Sequence, residues 1–248
     1  MHPFFKGHNF YGFVHRGGDE EKTENTLEAF QYSSDLGFVF METDVQSTSD
    51  GKVVIFHDSD LKRLAGLNKR VIDLTFKEIK EVDLINGGTI PSLEETLSSF
   101  PNLRFNIDIK VDSAVEETIR IVKNHNALNR VCLAAFSTSR LHRIRHITGS
   151  DLCSSMGQAE IVRLLLSSYG LDLKASPGFC AQVPVSQFGI PIVTRRFIKK
   201  VHDLNKLIHV WTIDETEEMY RLIDLGVDGL MTDKPTVLKE ALVARNLF

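Results

Sequence analysis

Residues 40–58 read FMETDVQSTSDGKVVIFHD, and the fold turns on how the chain passes through them. Two extended runs flank Asp50-Gly51, a dipeptide that favours a tight reversal. Read as a hairpin, the first run is a strand of the main sheet, and the second returns His57 to the end from which the first departed. Read instead as a further strand of the main sheet, Val53–His57 raises the strand count to nine unless another is demoted.

Outward from this stretch, strand-like runs alternate with amphipathic helical patterns. The strand candidates are Gly12–His15, Phe38–Val45, Arg104–Lys110, Arg130–Phe136, Leu152–Met156, Phe179–Val183, Ile208–Ile213 and Gly229–Thr232. Helical patterns lie near 26–36, 92–99, 113–126, 138–147, 158–168, 195–204, 215–225 and 236–246. Eight alternations in one α/β chain of 248 residues predict a (β/α)₈ TIM barrel with a hairpin excursion after strand 2, as a single domain over 1–248. A doubly wound open sheet is the competing topology, but no G-x-G-x-x-G follows a strand. Residues 58–91 form a longer excursion with a short helix near 76–83. Capping pairs are expected at Asn25/Glu28, Thr75/Glu78, Ser92/Glu95 and Asp214/Glu217.

Composition excludes several classes. Lys plus Arg is 29 against 33 Asp plus Glu, a net charge of −4, so no global basic field points to nucleic acid. No run approaches the ~18 apolar residues of a spanning helix, so stable membrane insertion is not expected. The N-terminal MHPFFKGHNFYG lacks the apolar core of a secretory signal. Cys132, Cys153 and Cys180 lack metal-like spacing and read as reduced, buried thiols of a cytoplasmic protein.

The chemistry lies on strand faces. Alternation puts Glu42 and Asp44 on one face, about 7 Å apart. They are either solvated acids at a strand end or ligands of a hard cation between them. In FNIDIK, Asn106, Asp108 and Lys110 share a face opposite Phe105, Ile107 and Ile109. Asp108 is a third candidate carboxylate, and Lys110 is a point charge for a phosphate oxygen or an internal partner of Asp108. His15 and Arg16 end strand 1, and His57 ends the hairpin. Two imidazoles at one mouth suit a base and an acid, and the adjacent guanidinium suits a phosphoryl group. This inventory fits metal-assisted attack on a phosphate ester better than acyl transfer. No G-x-S-x-G, H-E-x-x-H or Walker-type loop is present.

In these pieces the chain resembles the glycerophosphodiester phosphodiesterase family. The matching residues are His15-Arg16-Gly17, Glu24-Asn25-Thr26, Ala29-Phe30, Glu42-Thr43-Asp44-Val45, Thr48, Asp50-Gly51 and His57-Asp58. They continue with Ile90 to Glu95, Ile107 to Lys110, Val210-Trp211-Thr212, Gly226 to Gly229 and Thr232-Asp233, so the likeness runs from 15 to 235. The resemblance implies a barrel, a divalent cation (Mg²⁺ or Ca²⁺) and cleavage of a small-molecule glycerophosphodiester to glycerol 3-phosphate and an alcohol. It makes His15 and His57 the acid–base pair, Glu42, Asp44 and Asp108 the metal ligands, and Arg16 and Lys110 phosphate contacts. Two departures stand out. The family usually carries Glu where Asp108 stands; Asp is one methylene shorter, which leaves direct ligation and a bridging water both open. The loop Gly18 to Thr23 is more charged than the family's usual Ala- and Pro-containing segment.

Other residues have structural readings. Trp211 walls the substrate pocket or packs in the barrel. Glu24 holds the mouth loop. Asp58 serves a turn or supports the site. Arg195, Arg196, Lys199 and Lys200 form a solvated basic face. Phe4, Phe5, Phe10 and Tyr11 cap the lower barrel or meet a partner. A lysophospholipase D-like activity is the nearest alternative and would need an apolar groove, and no membrane-binding amphipathic helix is evident. A non-catalytic barrel that binds phosphorylated ligands is the alternative of a different class.

Overall fold

In the computed structural model, which describes residues 1–171, 173 and 176–248, there are eleven strands and ten α-helices; eight of each follow the expected alternation, and a second hairpin, over 186–191, adds to it. The strands are β1 (Tyr11–Val14), β2 (Phe40–Ser47), β3 (Val53–Ile55), β4 (Arg104–Ile109), β5 (Val131–Ala134), β6 (Cys153–Ser154), β7 (Cys180–Val183), β8 (Ser186–Gln187), β9 (Ile190–Pro191), β10 (Leu207–Val210) and β11 (Gly229–Thr232). The helices are α1 (Leu27–Asp35), α2 (Lys62–Ala65), α3 (Phe76–Lys80), α4 (Leu93–Ser99), α5 (Val115–Asn124), α6 (Thr138–Thr148), α7 (Gln158–Ser168), α8 (Arg195–Asp203), α9 (Thr216–Leu225) and α10 (Pro235–Ala244).

Eight parallel strands run in the order β6-β5-β4-β2-β1-β11-β10-β7. The open seam between β6 and β7 is bridged: Phe179 N–H donates to the Ser154 carbonyl at 2.8 Å, and Met156 N–H to the Cys180 carbonyl at 2.9 Å. The result is a nearly closed TIM barrel. The strand β3 pairs antiparallel with β2 and lies off the barrel path. The hairpin reading of residues 40–58 therefore holds, and nine barrel strands are not needed. The excursion after it has its own small core, in which Val54, Phe56, Leu61, Val71, Ile79 and Ile90 pack together.

Strand alternation sorts the core into two. Outward side chains such as Val14, Met41, Phe105, Ile107 and Leu133 pack beneath the helices. Inward ones fill the barrel. Its lower end is plugged by the N-terminus: Phe4 and Phe5 are fully buried against Tyr11, Phe13 and Phe40. Tyr11 Oη donates to the Phe5 carbonyl at 2.9 Å, and Arg104 Nη1 donates to the carbonyls of Phe4 and Lys6, each at 2.8 Å. Of the four aromatics open to two readings, Phe4, Phe5 and Tyr11 thus cap the barrel, and Phe10 joins the outer core. Cys132, Cys153 and Cys180 lie in the same inner cluster, buried and free. Gly229 belongs here because a Cβ would lie 2.4 Å from the Tyr11 carbonyl oxygen.

Two expected caps are otherwise employed. Thr75 and Ser92 form capping boxes with Glu78 and Glu95 as expected. The first helix, however, is capped by Thr26, which accepts from Ala29 N–H, and the N-cap position of α9 falls to Glu215, which makes no side-chain cap bond. Asn25 and Asp214 are drawn into the upper end of the barrel instead.

Candidate active site

The upper, C-terminal end of the barrel opens into a cleft of about 670 Å³. His15, Arg16, Glu42, Asp44, His57, Asp108, Lys110 and Trp211 all line it, so the eight candidate catalytic, metal and substrate residues meet there.

His15 lies in the turn leaving β1. That turn has positive φ at Arg16, Gly17 and Gly18 (52°, 84° and 100°). It packs tightly: a Cβ on Gly17 would fall 2.7 Å from that of Ala29, and one on Gly18 would fall 2.9 Å from Pro235. The glycines thus admit neighbouring helices to the backbone. His15 Nδ1 meets Asp233 Oδ1 at 2.6 Å, and its Nε2 lies 3.6 Å from Glu42 Oε2. A carboxylate only accepts, so Nδ1 is the protonated nitrogen and Nε2 faces the cleft. Burial opposes the imidazolium, but Glu42 and Asp233 outweigh it and raise the His15 pKa to about 9.

His57, at the end of the hairpin's return arm, is held the same way: Nδ1 meets Asp58 Oδ1 at 2.7 Å. Asp58 is therefore a supporting acceptor. Arg63 Nε fixes its other oxygen at 2.7 Å. Arg63 continues to Glu24, with Nη1 at 2.5 Å and Nη2 at 2.9 Å. Glu24 in turn accepts from Arg16 Nη1 at 3.1 Å. A fully buried carboxylate thus ties the loop after β1 to the excursion after β3.

The carboxylates on β2 and β4 are in register, with Glu42 beside Asn106 and Asp44 beside Asp108. Like charges side by side need a cation between them. Lys110 Nζ supplies one, 2.7 Å from Asp44 Oδ1 and 2.6 Å from Asp108 Oδ2. Asp44 Oδ2 also accepts from Asn25 Nδ2 at 3.1 Å, and Thr43 holds the Asn25 carbonyl oxygen at 2.7 Å. Arg16 Nε approaches Asp44 to 3.2 Å, off the hydrogen-bond line. Burial works against the Asp44 carboxylate, yet Lys110 and Arg16 lower its pKa. Glu42 differs: burial and Asp44 push its carboxyl up.

Among the described residues, no three His, Cys, Asp or Glu side chains lie close enough together to form a ready cation cage. Two carboxylate oxygens, Glu42 Oε2 and Asp108 Oδ1, are nevertheless buried with no hydrogen-bond partner. Buried bare carboxylate oxygens are costly, and an all-oxygen set suits a hard divalent ion. The residues present fit such an ion.

Trp211 packs edge-on against Phe136, centroids 5.9 Å apart, and so walls the cleft. Three supporting roles escaped the sequence reading, those of Asp233, Arg63 and Asp214. Asp214 Oδ1 accepts from Thr232 Oγ1 at 2.9 Å and from Asp233 N–H at 2.8 Å, which fixes the end of β11. An acid at the C-terminal end of a barrel strand was the available signal for Asp233.

A barrel whose upper mouth gathers two carboxylate-anchored imidazoles, three acids, Arg16 and Lys110 is built to act on a phosphorylated substrate. The profile of the glycerophosphoryl diester phosphodiesterase family matches residues 15–237. The chain is 35% identical over 227 residues to a probable glycerophosphodiester phosphodiesterase 2 of Mycobacterium tuberculosis, covering 89% of this chain and 86% of that one. It is 28% identical over 275 residues to a human lysophospholipase D, covering 92% and 84%. The fold matches the crystal structure of a putative glycerophosphoryl diester phosphodiesterase from Silicibacter pomeroyi with a TM-score of 0.83 at 20% identity, covering 100% and 99% of the two chains. The chain belongs to the glycerophosphoryl diester phosphodiesterase family and is an enzyme of that kind, a phosphoric diester hydrolase.

Proposed function

We propose that the enzyme cleaves glycerophosphodiesters to glycerol 3-phosphate and an alcohol, with His15 and His57 as its general acid–base pair. The observation behind this reading is that each imidazole has Nδ1 anchored on a carboxylate, Asp233 or Asp58, at the rim of one cleft. Anchoring fixes the tautomer and leaves Nε2 of each free to move a proton. One histidine takes the proton from the nucleophile, either water or the substrate's glycerol hydroxyl. As the new P–O bond forms, the P–O bond to the alcohol breaks, and the other histidine protonates the departing oxygen. If the glycerol hydroxyl attacks, a cyclic phosphate forms first and water opens it in a second step. Lys110 and Arg16 are the cations available to the phosphoryl oxygens. A divalent cation, Mg²⁺ or Ca²⁺, held by Glu42, Asp44 and Asp108, would stabilise the charge that grows on the phosphoryl group. The three buried thiols suit a reducing compartment such as the cytoplasm, and no helix among the described residues is long and apolar enough to cross a membrane. The test is release of glycerol 3-phosphate from glycerophosphocholine with and without added cation. Failure of every cation to support turnover counts against the reading.

A second reading has one observation in its favour. Opposite the charged residues the cleft wall is apolar, formed by Met156, Ile161, Leu165 and Ile192. That wall is the groove a lysophospholipase D-like activity needs. A kcat/KM for lysophosphatidylcholine well above that for glycerophosphocholine would establish it.

A further inference from the structure

The apolar wall does not stop at the cleft. It opens between α7 and the β8–β9 hairpin, and both continue it onto the surface. On α7 and at its C-cap, Val162, Leu166 and Tyr169 are spaced i, i+4, i+7 and are all exposed. Leu171 and Leu173 follow, also exposed. Across the opening, the hairpin presents Phe188 at 94% exposure and Ile190 at 57%. No other large apolar side chain among the described residues is as exposed as Phe188.

The hairpin tip is unusual in its backbone as well. Phe188 and Gly189 have φ of 51° and 77°, the pattern of a two-residue type I′ turn. Asn-Gly is the common choice there. Phe188 accepts both a left-handed backbone and near-full contact with water, with little burial among the described residues in return. Exposed basic side chains stand beside it: Arg163 on α7 and Arg195 and Arg196 on α8, on a chain of net charge −4, while Lys199 is paired with Asp203 at 2.8 Å. The Arg196 guanidinium lies over the Tyr169 ring, 4.8 Å from its centroid.

We propose that this surface docks on an anionic lipid aggregate, with Phe188 and Ile190 entering the acyl region and the α7 stripe lying in the headgroup layer. An apolar centre rimmed by basic side chains is the pattern of interfacial binding. Continuity with the cleft wall gives the docking a purpose: a lipid-borne phosphodiester reaches the histidines along apolar surface. Val162, Phe188 and Ile190 also line the rim of the cleft, whereas Leu166 and Tyr169 lie outside it, and turnover of soluble glycerophosphocholine tests the phosphodiesterase reading separately.

The test is sedimentation of the full chain with phosphatidylcholine vesicles, with and without phosphatidylglycerol. Binding is expected with the mixed vesicles and should weaken in pure phosphatidylcholine and at high salt. Phe188→Ser should weaken partitioning about tenfold or more, from the lost apolar burial. Tyr169→Ser, outside the cleft, should weaken it less and leave glycerophosphocholine turnover unchanged, which also shows that the fold is intact. Independently, lipids with brominated acyl chains should quench the indole introduced by Phe188→Trp. Absence of sedimentation with either vesicle overturns the proposal, as does binding undiminished by Phe188→Ser or an unquenched indole. A concentration-dependent dimer abolished by Phe188→Ser overturns it too, by giving the surface to a second copy of the chain.

Discussion

Asp233 accepts a hydrogen bond from His15 Nδ1 at 2.6 Å, a contact between residues 218 positions apart that joins the end of β11 to the turn after β1. It fixes the ring plane and the tautomer, and its charge favours the imidazolium. Asp233→Asn keeps the size but offers an amide that can present its donor to the ring. Loss of such a supporting partner costs about 10–100-fold. That loss should fall on kcat, with KM little changed. The kcat/KM limb that reports His15 should also move to lower pH, because Asp233 is among the groups that raise it. An unchanged pH profile would reduce Asp233 to a structural role.

Glu24 offers a contrast in stability. Its carboxylate is buried and bonded to both Arg16 and Arg63. Removing one member of a buried ion network costs about 3–5 kcal/mol when it leaves a buried charge behind. Glu24→Ala should cost part of that figure, since the largely buried Arg16 guanidinium keeps Asp44 only, 3.2 Å from its Nε and off the hydrogen-bond line. Arg63→Ala should cost clearly less, because Arg63 is partly exposed and Glu24 keeps Arg16. Urea titrations of the two variants check the order, and equal losses would contradict it.

His209 sits inside the barrel on β10 among Phe5, Tyr11 and Phe13, and neither ring nitrogen has a partner. Burial lowers its pKa to about 3. The folded chain therefore stays unprotonated there while the unfolded chain takes a proton below about pH 6.5. Stability is fully present above that value and falls by about 1.4 kcal/mol per pH unit as pH drops toward 3. His209→Leu should remove this slope and resist acid better than the parent. The readout is unfolding free energy at pH 7 and pH 5, and parallel losses in the two proteins would refute it.

The orphaned oxygens of Glu42 and Asp108 make a metal requirement testable. A chelator should abolish turnover, and Mg²⁺ or Ca²⁺ should restore it, the donor set being all oxygen. Asp44→Ala, Glu42→Gln and Asp108→Asn should each weaken cation binding measured by calorimetry. Near-normal affinity in Asp44→Ala would count heavily against the ligand set. Full turnover by exhaustively chelated, metal-free enzyme would remove the metal from the mechanism.

The barrel was legible because its strands and helices change period cleanly, and Asp50-Gly51 marked the first interruption; the second, the β8–β9 hairpin, turns on Phe188-Gly189 and lacked so strong a turn signal. That Glu42 and Asp44 share one face, and Asp108 and Lys110 another, followed from alternation; that both faces turn into the barrel mouth came from the fold. What escaped were relationships that alternation does not encode. Asn25 and Asp214 stand where capping residues stand, and only packing diverts them to Asp44 and to the end of β11. Arg63 lies in an irregular excursion with no periodic signal, and Asp233 is distant in sequence from its partner. The apolar surface was hidden for a similar reason. It is divided between one helix and a two-residue hairpin, so neither segment alone reads as membrane-binding.

His15 and His57 should behave as one catalytic unit. Each is worth roughly 10²–10⁴-fold if it moves a proton in the transition state. His57→Ala should lose about that much turnover while its urea midpoint stays close to the parent's, since the ring is partly exposed at the rim. Groups that act together are not additive, so the double variant should be little worse than the worse single one. The leaving group then separates the roles. A nitrophenyl diester departs with little need of a proton. It should partly rescue whichever variant lacks the acid and leave the variant lacking the base impaired, which assigns the two rings. If both variants suffer equally on good and poor leaving groups, the division of labour is wrong. If neither loses more than a few-fold, both rings only support the fold, and the chemistry must come from the carboxylates, Lys110 and whatever cation they hold.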